Sequence, residues 1–117
     1  MDKYTETFPV TSSLGLHTRP SVDMAKTINR FIESGYLIDI EISSNGDYLH
    51  YNRKTDPAEP CDFTEMGLEM GSEFKVSVIT AEGKGEKIFR GIDRILKKIY
   101  TRDEEDPSKS VLVHRKV

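Results

Sequence analysis

One cysteine, Cys61, is all the chain contains, so it can form neither an intrachain disulfide nor a four-cysteine zinc site. A lone cysteine of this kind reads as a small buried or half-buried side chain. An excess of positive charge is also missing. Seventeen Lys plus Arg stand against 20 Asp plus Glu, a net charge of −3, which argues against a general affinity for nucleic-acid backbones or anionic membranes. Long apolar runs are absent, and the opening MDKYTETF has neither the basic start nor the hydrophobic middle of a signal peptide. A cytoplasmic chain without membrane insertion is therefore expected. There is no G-x-S-x-G turn and no H-E-x-x-H pair, and His17, His50 and His114 show no metal-ligand spacing, which speaks against an unrelated α+β enzyme. His50 and His114 read as structural or solvent-facing.

What is present suits one core, since 117 residues are enough for a single domain and too few for two ordinary ones. Met1 to Val10 reads as a strand with Tyr4, Phe8 and Val10 on one side, and Pro9 places it at a sheet edge or strand end. From Thr18 the apolar residues Met24, Ala25, Ile28, Phe31 and Ile32 recur at helical spacing, with Pro20 in the opening turn and Gly35 after the last repeat. YLIDIEIS alternates, which puts Ile38, Ile40 and Ile42 on one strand face. Asn45-Gly46 marks a two-residue hairpin into DYLHYNRK. TDPAEP reads as a loop and CDFTEMGLEM as the place for a short helix. EFKVSVITA alternates again through Phe74, Val76 and Val78. Ile88, Phe89, Ile92, Ile95, Leu96 and Ile99 then form the apolar stripe of a last helix, whose basic residues Arg90, Arg94, Lys97, Lys98 and Arg102 read as a solvated face. Two amphipathic helices, a short one and four half-buried strands predict an α+β sandwich of two layers, an antiparallel sheet with its helices on one face. Residues 1–100 make the domain. Residues 101–117 read as a mobile tail, within which SVLVH has the composition of an extra strand.

The heptapeptide GLHTRPS, Gly15 to Ser21, sets His17 at the start of the first helix. Helix N-termini present unpaired backbone N–H groups and a partial positive charge, so an anion held there gains hydrogen bonds and a favourable field. Arg19 adds a planar guanidinium suited to phosphoryl oxygens. Gly15 eases the turn into the helix, and Pro20 in the first turn removes no helical bond. An imidazole with an ordinary pKa of about 6.5 keeps a neutral, nucleophilic fraction near pH 7. These residues allow two readings: His17 is a phosphoryl acceptor, or it caps the helix while Arg19 pairs with a surface carboxylate.

GLHTRPS closely resembles the phosphorylation-site motif of HPr, the histidine-containing phosphocarrier of the bacterial phosphoenolpyruvate-dependent sugar phosphotransferase system. The element order βαββαβα is that of the open-faced HPr sandwich, and SSNG and MGLEMGSEFKVSVITAEGKGEK also look like HPr segments, so the resemblance runs from Tyr4 to about Tyr100. It implies a carrier with a phosphohistidine intermediate. Enzyme I would phosphorylate Nδ1 of His17, Arg19 would stabilise the group together with the backbone of Thr18 and Arg19, and an EIIA domain would take it onward. Partner docking would fall to Thr18, Pro20 and the exposed hydrophobic residues of the second-helix region, here Phe63 and Met66. No metal or organic cofactor is implied. The chain departs from many HPr proteins in lacking a regulatory serine before the second helix. No serine occurs between Asp47 and Gly71, and Arg53, Glu59 or Pro60 takes its place. Thr55 and Thr64 are the replacement acceptors on offer, and a loop glutamate such as Glu59 reads as an ordinary surface charge. The departure leaves a second reading open, an HPr-like regulatory module that binds a transcription factor or metabolic enzyme.

Overall fold

The computed structural model describes residues 1–10 and 18–97. The elements follow the expected order: β1 (Asp2–Pro9), α1 (Thr18–Ser34), β2 (Leu37–Ser44), β3 (Asp47–Asn52), α2 (Pro60–Thr64), β4 (Glu73–Thr80) and α3 (Gly85–Lys97). The four strands form one antiparallel sheet in the order β1-β4-β2-β3, and α1 and α3 pack on one face of it. β1 is an edge strand and Pro9 is its last residue, where a missing N–H breaks no internal ladder.

The core lies between the sheet and the helices. Phe8, Ile40, Ile42, Phe74, Val76 and Val78 from the strands meet Met24, Ile28, Ile88 and Ile92 from the helices, all buried. The opposite face carries the alternate residues, polar ones such as Thr5, Ser77, Asp39, Glu41 and His50. This division is the period-two rule acting on a sheet with one dry side. Between Asn45 and Gly46 the hairpin turns with both φ angles positive, 48° and 89°, the conformation that a two-residue connection between twisted strands requires.

The structure corrects one inward position of β2. Ile38 is 37% exposed, and Leu37, at 1%, takes the place expected of it. The cause is a bulge: Leu37 faces Thr80 while Asp39 faces Ile79, so Ile38 is an extra residue and the alternation slips by one position there. Tyr4, expected beside Phe8 and Val10, is 40% exposed, though its ring does turn toward the helices and meets Phe89 edge-on at 6.2 Å. It lies over Gly85, where an added Cβ would fall 2.1 Å from a ring carbon of Tyr4, so the first turn of α3 sits this close only because it begins with glycine.

The described part of the basic face of α3 is solvated, as expected. Arg90 pairs with Glu86, and Lys97 with Asp93 at 2.9 Å, both one turn apart on exposed side chains; such pairs contribute a few tenths of a kcal/mol each. Among the described residues no helix is long and apolar enough to cross a membrane. Ile99, Lys98, Arg102, His114 and the tail 101–117 lie outside the described residues.

Candidate functional site

The site begins where α1 begins. Its first two residues, Thr18 and Arg19, are exposed, while Pro20 and Ser21 are buried. Buried Met24, Ala25 and Ile28 fix the helix against the core. Pro20 costs the helix nothing, because the first four N–H groups have no partner within it. No acidic side chain stands in the first turn, so no carboxylate within that turn offsets the positive end of the helix. The exposed guanidinium of Arg19 adds to that field. His17 immediately precedes Thr18 in the chain and lies outside the described residues, together with Gly15. Of the heptapeptide, the structure therefore places Thr18, Arg19, Pro20 and Ser21.

The expected docking residues of the second-helix region need correction. Phe63 is 0% exposed and Met66 is 9% exposed, so neither offers an apolar surface to another protein. Phe63 is the residue that α2, only five residues long and packed against α1, buries, and Met66 just beyond the helix joins the same core. Pro20 is buried as well. The exposed apolar residue of this region is Met70, at 61%. It sits in a turn tied to the end of β1 by two backbone bonds, Gly71 N–H to Val10 at 2.9 Å and Val10 N–H to Ser72 at 2.8 Å. Its signal in the sequence is its place in the EMGS turn, outside any apolar period.

At the start of α2 the N-cap is Glu59 and the first helical residue is Pro60, so two of the three residues offered for that spot stand at the helix start and Arg53 does not. Asp62 accepts the backbone N–H of Glu59 at 3.1 Å and the hydroxyl of Tyr51 at 2.6 Å. Burial, and then the Asp62 carboxylate, push the Tyr51 hydroxyl far up from its usual range, so it stays a protonated donor. Asn29 of α1 grips the preceding loop: its amide donates to the Ala58 carbonyl and accepts the Ala58 N–H, both at 2.9 Å. Both threonine hydroxyls are engaged. Thr55 donates to Asn52, and Thr64 to the Cys61 carbonyl, each at 3.1 Å.

Cys61 is exposed, not buried as expected, because Phe63 takes the inward face of this short helix. Loss of hydration, then the carboxylates of Asp62, Glu65 and Glu59, raise its thiol above the ordinary value. The expected outcome is slow alkylation of an accessible group: the iodoacetamide rate, followed by mass spectrometry, should climb about tenfold per pH unit through pH 8 to 9, since only the thiolate reacts. A plateau reached below pH 8 would contradict it.

A separate cluster was not visible as a motif. On the uncovered face of the sheet, Asp39, Glu41 and His50 converge, with His50 Nε2 2.6 Å from Asp39 Oδ1. The hairpin contained the signal. A two-residue turn at Asn45-Gly46 closes on Ser44 and Asp47, so counting outward sets Glu41 opposite His50 and Asp39 opposite Asn52.

No protein-family model and no curated protein sequence matches the chain, but solved structures do. The phosphocarrier protein HPr from Bacillus anthracis str. Ames superposes with a TM-score of 0.60 at 16% identity, covering 80% of this chain and 95% of the other. HPr-C-His from Thermoanaerobacter tengcongensis gives 0.60 at 14% identity over 83% and 99%. A Mycoplasma histidine-containing phosphocarrier protein gives 0.55 at 19% identity over 80% and 91%. The chain thus has the fold of the HPr phosphocarriers, an open-faced sandwich with the order βαββαβα.

Proposed function

We propose that the chain is a phosphoryl carrier, accepting the group on His17 from phospho-Enzyme I and handing it to an EIIA domain in the bacterial cytoplasm. The observation that carries this reading is the coincidence of motif and fold: GLHTRPS stands at the start of α1 in a chain with the HPr fold. In the forward step the lone pair of the neutral imidazole Nδ1 attacks phosphorus, a new P–N bond forms, and the bond to the donor imidazole breaks with its electron pair. The leaving ring of the donor takes up a proton and the Nε2 proton of His17 is released to solvent, so the transfer neither consumes nor yields a net proton. The guanidinium of Arg19 and the backbone amides opening α1 supply hydrogen bonds to the phosphoryl oxygens, and no metal or organic cofactor takes part. The carrier catalyses nothing alone; the barrier to each transfer is lowered jointly with the protein that docks on it.

The test is incubation with phosphoenolpyruvate and Enzyme I. One acid-labile phosphoryl group per chain is expected, and none in His17→Ala. Label retained by that variant would reject the site. The burial of Phe63 and Met66 favours a second reading, a regulatory module that lacks the usual docking surface. Normal labelling with no transfer to any EIIA domain would support it, whereas transfer at rates comparable to other HPr proteins would remove its motive.

A further inference from the structure

We propose that Asp39, Glu41 and His50 bind one divalent cation of the zinc class on the uncovered face of the sheet, independently of phosphoryl transfer at His17. The three residues come from adjacent antiparallel strands, Asp39 and Glu41 two apart on β2 and His50 directly opposite Glu41 on β3. Their backbone positions are therefore fixed by the sheet and not by a loop. One ligand atom of each, His50 Nε2 and a carboxylate oxygen of Asp39 and Glu41, lies within 4.8 Å of the other two. Four-coordinate zinc, with bonds of about 2.0–2.2 Å, needs its ligand atoms roughly 3.3–3.6 Å apart. Rotation about side-chain bonds of groups that are half-buried or exposed covers that difference.

The surroundings are those of a ligand set. Asn52 Nδ2 donates to Asp39 Oδ1 at 3.0 Å. The Tyr48 ring also packs beside the imidazole, centroids 6.2 Å apart. Metal-binding carboxylates and imidazoles are oriented by outer groups of this kind. Charge points the same way: two carboxylates side by side on one sheet face repel, and one imidazole cannot offset two negative charges. A dication can. One nitrogen and two oxygens form a donor set of intermediate softness that favours zinc over calcium or magnesium, which prefer all-oxygen shells. On binding, Nε2 gives up any proton it shares with Asp39. That proton moves to Nδ1 by tautomerisation or, from the imidazolium, leaves to solvent. The remaining coordination positions face water.

Titration of the full chain with zinc sulfate in chelator-treated buffer, followed by calorimetry and by the ring-proton resonances of the histidines, tests the site. One ion per chain is expected, with His50 shifting first. His50→Ala and Glu41→Gln should each weaken binding at least tenfold. Asn52→Ala, which removes the outer hydrogen bond together with the bonds that Asn52 Oδ1 accepts from the Lys54 and Thr55 N–H groups, should weaken it about tenfold. Cys61→Ser and His114→Ala should leave it unchanged, and magnesium should not compete. Undiminished binding by His50→Ala, or the absence of saturable binding, would overturn the proposal. The shift of His50 in the unsubstituted chain reads the site even where a variant folds poorly, and a ring left unmoved at saturation would overturn it equally.

Discussion

Phe63→Ala is expected to lower the free energy of unfolding by about 3–5 kcal/mol, seen as a lower urea midpoint with little change in slope. Phe63 is fully buried, and its ring lies 6.4 Å from that of Tyr51. Truncation removes the transfer free energy of a phenyl ring and opens a space that α1 and β3 cannot close without leaving their places in the core. A helix of five residues has no stability of its own in water, so α2 persists only while its buried face is filled. Small domains have about 5–15 kcal/mol in total, which makes this loss a large share. Phe63→Leu keeps most of the volume and should cost less than about 1.5 kcal/mol. Were Phe63→Ala to cost no more than Phe63→Leu, the ring would not anchor α2. The result bears on function, because the region expected to dock other proteins is held by the residue that the resemblance assigned to the docking surface.

That misassignment shows how far the sequence was legible. Apolar alternation in IDIEI and FKVSV, the 3.6-residue stripe of the last helix and the Asn45-Gly46 turn each act over a few neighbouring residues, so pattern alone placed β2, β4, α3 and the hairpin. Leu37 in place of Ile38 was not legible, because a bulge depends on how a strand meets its neighbour across the sheet. In CDFTEMGLEM the apolar residues Phe63, Met66 and Leu68 are too few to define a period, and which of them face inward is decided by α1, far away in sequence. The start of this helix at Pro60, behind Glu59, was not legible for the same reason: the loop before it has a length that no local rule fixes. At the candidate site, the types of residue needed to hold an anion were readable in GLHTRPS. The exposure of Arg19 and the burial of Pro20 and Ser21 depend on where the core lies.

Asn29 leaves no pattern at all, being one polar residue on the flank of an amphipathic helix, yet its replacement has the second large expected effect. Its amide makes both hydrogen bonds to the backbone of Ala58, a residue 4% exposed, much as a neighbouring strand would. Asn29→Ala leaves a buried N–H and a buried carbonyl unpaired, at about 1–3 kcal/mol each, while the better helix propensity of alanine returns about 0.5 kcal/mol. A net loss of about 2–4 kcal/mol in urea unfolding is expected. Asn29→Asp separates the two bonds, since a carboxylate still accepts the Ala58 N–H but faces the Ala58 carbonyl with no proton to donate. Its protonated form restores that donor, so the folded state raises the pKa of the introduced carboxyl. The stabilising contribution of that proton is then fully present below the unfolded pKa of about 3.9 and is lost as pH rises through the folded value. Relative to the original chain at the same pH, Asn29→Asp should therefore be markedly less stable at pH 7 and recover toward pH 4. A deficit that stays constant across that range would mean that the carbonyl bond contributes nothing, and that the loop before α2 is held to α1 by the N–H alone.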